Sequence, residues 1–372
     1  MKRYALIFTL LLVNTLLWGQ NPVTTDTILN DTVFKSKVTV PADEYAIPNR
    51  VTEKYVNRVN PDETCRMLKS GIMIIGTGKN VRAAESYGGR NAGEKEYAES
   101  ANKYKRVFGD SVSVYCMVIP SAAAFYTPNK LSGSTRHQGK TIDRIFSYLS
   151  DSVKAVDVYT ILGRHASEKI YSRTDHHWAP LGAFYAAKKF AAVAGVPFKD
   201  LSWYTKHTVK NYVGTMYMFS KQKEVKDAPE DFIYYTPDSV KYTTTYTNYV
   251  TRKGVAVAEG KTVKGTFFQP VKDGSTGAYC VFMGGDAKIT KVETSTKNGR
   301  RLVIFKESYG NAIPGYLFFS FEEIHVIDCR YFKKNIKKYV RDNHITDILF
   351  ANNIARAVLN GTNRSYSKFL TQ

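Results

Sequence analysis

Asp175-His176-His177 places a carboxylate and two imidazoles together inside the run Arg173-Thr174-Asp175-His176-His177-Trp178, which leads directly into Ala179-Pro180-Leu181-Gly182. Asp175 and His177 are two apart and can reach the same side of an extended loop. The carboxylate then takes the proton of one ring nitrogen while the other nitrogen faces a substrate or a nucleophile, which is the lower half of a Ser-His-Asp arrangement. Two other readings stand beside it. Asp175 could cap the following helix and leave the histidines as polar loop residues. Alternatively, Asp175, His176 and His177 could hold a metal. Adjacent histidines point apart, however, and neither a His-Glu-x-x-His run nor paired cysteines supplies further ligands. The reading adopted here carries no metal and no cofactor.

A histidine held this way needs a hydroxyl to activate. Ser308, in Lys306-Glu307-Ser308-Tyr309-Gly310-Asn311, stands just past an apolar strand and just before a predicted helix. Its hydroxyl can project from a tight turn while backbone N–H groups face the same point, as a nucleophile with an oxyanion hole requires. Taken alone, such a serine is equally an N-cap. Its joint occurrence with Asp175 and His177 makes it a candidate nucleophile. Trp178 and Tyr309 flank the reacting groups and could stack on a sugar ring, although Trp178 could equally anchor the loop in the core.

The elements that position these residues follow from periodicity. Pro180 sits where a helix has its first residue, a place that tolerates the missing N–H, so the polar cluster ends a loop and a helix runs to Ala194. Upstream, the pattern predicts a strand over 71–75, a helix over 92–108, a strand over 112–119 ending in Pro120-Ser121, a helix over 141–152 and a strand over 155–162. Tyr- and Thr-rich segments such as 232–235 and 242–250 then read as a β-ribbon and loop insertion over about 197–286. The alternation resumes with a strand over 302–305, a helix from the Ser308 turn to Phe319, a strand over 324–328 ending in Cys329-Arg330-Tyr331, a helix over 333–343 and a strand over 347–351 closing on Asn352-Asn353. This predicts an α/β fold, a parallel sheet with helices on both faces and polar groups gathered at strand C-terminal ends, where such sheets carry their ligand crevice.

With 372 residues, 43% of them apolar, the chain has enough material for a full core. Met1-Lys2-Arg3 followed by an apolar run to Trp18 reads as a signal peptide over 1–20, with an uncleaved anchor as the alternative. Residues 21–64 read as an extended lead-in and 65–372 as the α/β domain. Export argues against nucleic acid as a partner, so the net charge of +20 points instead to acidic glycans, anionic lipid surfaces or solubility. The four cysteines, Cys65, Cys116, Cys280 and Cys329, allow up to two disulfides, with Cys116 equally suited to be a buried thiol.

The stretch 171–187 around Asp175-His176-His177-Trp178 closely resembles the hallmark of the bacterial DHHW protein family. The segments 118–128, 303–312 and 327–332 look like that family's other blocks, in the same order. The family resembles SGNH hydrolases in the arrangement of alginate O-acetylation proteins. That resemblance implies a flavodoxin-like three-layer α/β/α sandwich with Ser308 as nucleophile, His177 as general base and Asp175 orienting it. It also implies an oxyanion hole from the Ser308 N–H and Asn352. Two departures stand out: Glu307 replaces the family's usual Asp, and Cys329-Arg330 occupies the place of a glycine that would supply an oxyanion N–H. The expected activity is ester cleavage or acyl transfer on O-acyl groups of a cell-envelope or extracellular polysaccharide, with Trp178, Tyr309 and Arg330 as substrate contacts. The alternative is a non-catalytic glycan-binding or exopolysaccharide assembly protein. Expected partners are the polysaccharide and assembly proteins, with no nucleic acid and no membrane span in the mature, exported chain.

Overall fold

Four near-continuous apolar runs form the centre of the molecule: residues 113–119, 301–306, 323–328 and 347–353 are buried almost throughout. Runs without alternation belong to strands covered on both faces, as in parallel sheets. The computed structural model describes residues 59–89, 91–252, 255–286 and 288–372. The expected signal segment and residues 21–58 of the lead-in lie outside them.

In chain order the strands are β1 (Cys65–Met67), β2 (Ile72–Ile75), β3 (Arg82–Glu85), β4 (Ser113–Ile119), β5 (Val153–Val156), β6 (Tyr204–Tyr212), β7 (Glu230–Pro237), β8 (Tyr242–Arg252), β9 (Val255–Gly265), β10 (Lys288–Thr294), β11 (Arg301–Lys306), β12 (Glu323–Asp328) and β13 (Asp347–Asn353). The helices are α1 (Asn91–Phe108), α2 (Ala123–Tyr126), α3 (Gln138–Ser147), α4 (Val158–Arg164), α5 (Pro180–Ala194), α6 (Thr215–Ser220), α7 (Lys223–Lys226), α8 (Ile336–Asp342), α9 (Ile354–Ala357) and α10 (Asn360–Phe369).

The main sheet has the order β5-β4-β13-β11-β12-β10-β8-β9. From β5 to β12 every pairing is parallel, whereas β10, β8 and β9 extend the sheet antiparallel. Register assigns the two faces. Cys116, Phe350, Phe305 and Ile327 lie side by side across four strands. Phe305 and Phe350 meet Tyr104 of α1 and Tyr366 of α10 edge-on. The neighbouring row points the other way, and Tyr115 meets Phe190 of α5 with ring centroids 5.1 Å apart. Helices therefore cover both faces of a mostly parallel sheet, which is a mixed α/β architecture.

Three expectations changed on folding. The predicted strand over 155–162 is cut at Asp157, whose carboxylate accepts the Thr160 N–H at 3.0 Å and hydroxyl at 2.6 Å, ending β5 and starting α4. The predicted helix after Ser308 is two 3₁₀ turns, Ser308–Ala312 and Pro314–Leu317; Pro314 lacks the N–H donor that would carry a helix through this point. The strand over 71–75 forms as β2, but it belongs to a separate three-stranded sheet, β1-β2-β3. None of the four cysteines is joined in a disulfide, so the two bridges the count allowed are not formed. Among the described residues no helix is long and apolar enough to cross a membrane.

Candidate active site

The loop that carries Asp175 is closed at its base by a bridge between Tyr171 and Trp178 and tied to the end of β4 by the Tyr171 hydroxyl, which donates to the Pro120 carbonyl at 2.6 Å. Glu230 of β7 accepts the Arg173 N–H, the Thr174 N–H and the Thr174 hydroxyl at 2.7–2.9 Å. Arg82 donates to the Ser172 carbonyl at 2.9 Å, and Arg173 to the Val81 carbonyl at 2.9 Å. A loop with this many fixed backbone groups holds its side chains in one geometry.

Within it, Asp175 Oδ1 lies 2.6 Å from His177 Nδ1 and accepts the His177 backbone N–H at 2.9 Å. Oδ2 accepts the Thr215 N–H at 2.8 Å and its hydroxyl at 2.9 Å. Burial alone would raise the carboxyl pKa, but the His177 and His176 rings and the Thr215 N–H hold it well below the carboxylate range. An ionised carboxylate only accepts, so the proton of this pair sits on Nδ1 and Nε2 carries the lone pair. Nε2 is buried and has no hydrogen-bond partner among the described residues. The ring lies parallel to Tyr279, with centroids 3.9 Å apart and planes within 5°.

His176 takes a different path. Its Nδ1 lies 2.5 Å from Thr215 Oγ1. Because that hydroxyl donates its hydrogen to Asp175, the imidazole must be the donor here. Burial and the neighbouring His177 push the His176 pKa down to about 4. Thr215, the first residue of α6, thus couples His176 to Asp175.

Ser308 stands past the end of β11, as expected, and its hydroxyl lies 3.5 Å from Glu307 Oε2. Among the described residues it makes no hydrogen bond to His177. Glu307 caps the 3₁₀ turn by accepting the Tyr309 N–H at 3.2 Å, while its other oxygen accepts the Asn353 N–H at 2.8 Å. The longer arm of glutamate therefore spans from the serine turn to the end of β13.

The remaining sequence candidates are placed as follows. Asn352 is fully buried and turned into the core: its oxygen accepts the Tyr97 hydroxyl at 3.0 Å and the Tyr366 hydroxyl at 2.5 Å, and its amide faces Cys329 Sγ at 3.8 Å. The structure does not bring its side chain to Ser308. Trp178 is also fully buried, and its indole N–H donates to the Tyr309 carbonyl at 2.9 Å; it is a core anchor rather than a sugar platform. Tyr309 donates its hydroxyl to the His176 carbonyl. Arg330 is committed to Asp328 at 2.7 Å and Asp286 at 2.9 Å. The same two carboxylates hold the buried Lys306 ammonium at 3.0 and 3.1 Å. Burial alone would lower the lysine's pKa, but the pair of aspartates keeps it raised.

Sequence reasoning missed Thr215, Tyr279 and Glu230. Only Gly214-Thr215 carried a signal, as a small and a hydroxyl residue before the apolar run of a helix start. Asp175, His176 and His177 also lie close enough together for a cation, but the Nδ1 proton of His177 faces the Asp175 oxygen that a cation would take.

No curated protein matches the sequence. The family described as DHHW protein matches it over residues 26–327. Among solved structures, a DHHW family protein from Eubacterium siraeum is 38% identical with a TM-score of 0.74, covering 83% of this chain and 98% of its own. Bacillus cereus PatB1 shares the fold at 17% identity and a TM-score of 0.60, covering 81% of this chain and 98% of its own, in a structure with a sulfonyl adduct. The family match and the 38% identity over nearly the whole of that relative establish that the chain belongs to the DHHW protein family.

Proposed function

We propose that the chain is an exported serine esterase or O-acetyltransferase with an SGNH-like, flavodoxin-type sandwich, acting on O-acyl groups of a cell-envelope or extracellular polysaccharide. The observation that carries the reading is the Asp175–His177 pair at 2.6 Å, with the far nitrogen of the ring buried and unpartnered. A base in that state is oriented, correctly protonated and free to take a proton. Residues 1–20 serve as the export signal, and the α/β domain carries the 197–286 segment as an insertion.

In this mechanism Ser308 Oγ attacks the acyl carbonyl as His177 Nε2 accepts its proton. Asp175 steadies the imidazolium, and the Ser308 N–H receives the oxyanion. His177 then protonates the departing sugar oxygen, and water or a second glycan hydroxyl resolves the acyl-enzyme. At 3.5 Å the Ser308–Glu307 contact is at the limit of a hydrogen bond, so little holds the hydroxyl back from turning to the base. PatB1 is recorded with a sulfonyl adduct, the group that an electrophilic sulfonyl reagent leaves on a nucleophile; we extend that chemistry to Ser308. No cofactor and no metal enter the reaction.

One observation favours the alternative of a glycan-binding or assembly protein: the Ser308 hydroxyl faces Glu307, and Asn352 is sequestered in the core. Hydrolysis of 4-nitrophenyl acetate by the chain lacking residues 1–20, beside its Ser308→Ala variant, decides between them. Turnover that disappears with the serine supports the enzyme. Equal rates in two folded proteins support the binding role.

A further inference from the structure

Beside Tyr309 a cavity of about 400 Å³ opens at the C-terminal ends of the parallel strands. Its walls come from distant parts of the chain: Glu85 and Ser86 at the end of β3, Ser121 past β4, Phe219 on α6, Tyr309 past β11 and Asn353 at the end of β13. A few polar groups converging on an apolar, aromatic wall at this volume are what a small-molecule site presents. The position also follows from topology. The chain leaves β4 toward β5 on one side and leaves β11 toward β12 on the other, so the crevice lies where the strand order reverses.

The odd member of the wall is Glu85. Its carboxylate is half-buried, yet among the described residues it makes no hydrogen bond and no ion pair. The chain carries 53 lysines and arginines, so an acid with a purely structural role could readily have been given a cation. Burial pushes its pKa up, with the His176 ring opposing and Asp175 adding to that rise. Among the described residues no lysine or arginine pairs with it, so the carboxylate meets the cavity without a cationic partner. Ser121 Oγ accepts from Gln138 at 2.8 Å, leaving its hydroxyl hydrogen free to donate. The Phe219 ring stands 5.6 Å from His176, so the cavity and the Asp175–His177 loop share a wall.

We propose that this cavity is the acceptor-sugar subsite, in which Glu85 receives two vicinal hydroxyls of a pyranose ring while Phe219 and Tyr309 face the ring's C–H surface. A carboxylate offers two oxygens with lone pairs in one plane, a match for two adjacent O–H donors. Aromatic rings supply the apolar contact that a sugar face requires. The assignment rests on the proposed action on a polysaccharide, and it names the group that would fix the sugar hydroxyl near Ser308.

The test measures binding, not turnover. The Ser308→Ala chain is titrated with methyl α-D-glucopyranoside, with its 2,3-di-O-methyl derivative and with methyl α-D-glucosaminide, by calorimetry or saturation-transfer NMR. The same titrations are made with Glu85→Gln added. The expected result is binding of the free diol, with at least about a tenfold loss of affinity both on methylation and on Glu85→Gln, the scale of losing hydrogen bonds to a charged group. Thermal unfolding at neutral pH, not lowered in Glu85→Gln, shows that the variant is folded. Equal affinity in the Glu85→Gln chain, or no binding by any probe, overturns the subsite; binding of the amino sugar alone overturns the diol assignment. Ser308-dependent ester hydrolysis reads separately. If it is absent while the sugar still binds through Glu85, the proposed catalysis falls and the subsite stands.

Discussion

Gly214 precedes α6 with φ −84° and ψ −164°, a conformation open to any residue, so an objection to a side chain there is purely steric. The objection is severe. A Cβ would lie 2.4 Å from both Cβ and Oδ2 of Asp175 and 2.7 Å from the Tyr212 hydroxyl. Carbon atoms settle at about 3.5–4.0 Å, so Gly214→Ala forces roughly 1 Å of separation between α6 and the carboxylate. Neither partner is a loose end, because Asp175 is held by His177 on one oxygen and Thr215 on the other. Overpacking of this kind costs about 1–3 kcal/mol, which lowers Tm by roughly 2–10 °C. A displacement of about 1 Å in a catalytic group costs on the order of 10²-fold in rate, with complete loss of orientation by Asp near 10⁴. We therefore expect Ser308-dependent 4-nitrophenyl acetate hydrolysis to fall by about 10²–10⁴ while the protein still folds, and the downfield Nδ1 proton of His177 to shift. Gly277→Ala is the control, since a Cβ there meets nothing within 4 Å. A folded Gly214→Ala chain that keeps its rate within about threefold would refute the claim that Thr215 and Asp175 form one rigid unit.

Other consequences can be checked with the same material. Asp175→Asn retains the shape but cannot accept the Nδ1 proton and serve Thr215 through both atoms, so kcat should fall by about 10⁴; an unchanged kcat would remove His177 as the base. Lys306→Met leaves Asp286 and Asp328 facing each other with only Arg330 between them, and the urea midpoint should report a loss of about 3–5 kcal/mol. Asp175 and Asp286 are both held below the carboxylate range, so their stabilisation is full above about pH 4 and is lost as pH falls. His176, down at about 4, adds to that acid loss below about pH 6.5; Asp286→Asn should flatten the slope of urea midpoint against pH in the acid limb. Glu85 has the opposite sign. Its raised pKa gives a contribution that is present below about pH 4.3 and lost as pH rises, so Glu85→Gln should raise Tm at pH 7 and leave it unchanged at pH 4.

Much of the architecture was legible because it rests on local signals. The apolar runs at 114–119 and 348–351 marked their strands, and Pro180 marked the start of α5 to the residue. Legibility failed where a single side chain redirected the backbone, as Asp157 does at the end of β5 and Pro314 does after Ser308. It failed more completely where contacts are remote in sequence. No local pattern announces that Thr215 meets Asp175 across 40 residues, or that Tyr279 stacks on His177. Asn352 shows the converse. A residue type in the expected place was turned inward because Tyr97 and Tyr366 supply hydroxyls that satisfy its oxygen in the core.

The segment between α5 and β10 holds the Asp175–His177 loop in place. His177 depends on Asp175 for its tautomer, and Asp175 takes two donors from Thr215 of α6. The loop itself takes three bonds from Glu230 of β7, and the imidazole lies flat on Tyr279. The sheet contributes the turn that carries Ser308 past β11, while α6 and β7 hold the Asp175–His177 loop. The two meet at the Tyr309 carbonyl, which accepts from Trp178 and Tyr279 at 2.9 and 2.8 Å, within one continuous core. In the mechanism proposed above, the approach of Ser308 to His177 would depend on how the elements between α5 and β10 seat against the serine turn, because Tyr279 touches both the His177 ring and the Tyr309 carbonyl.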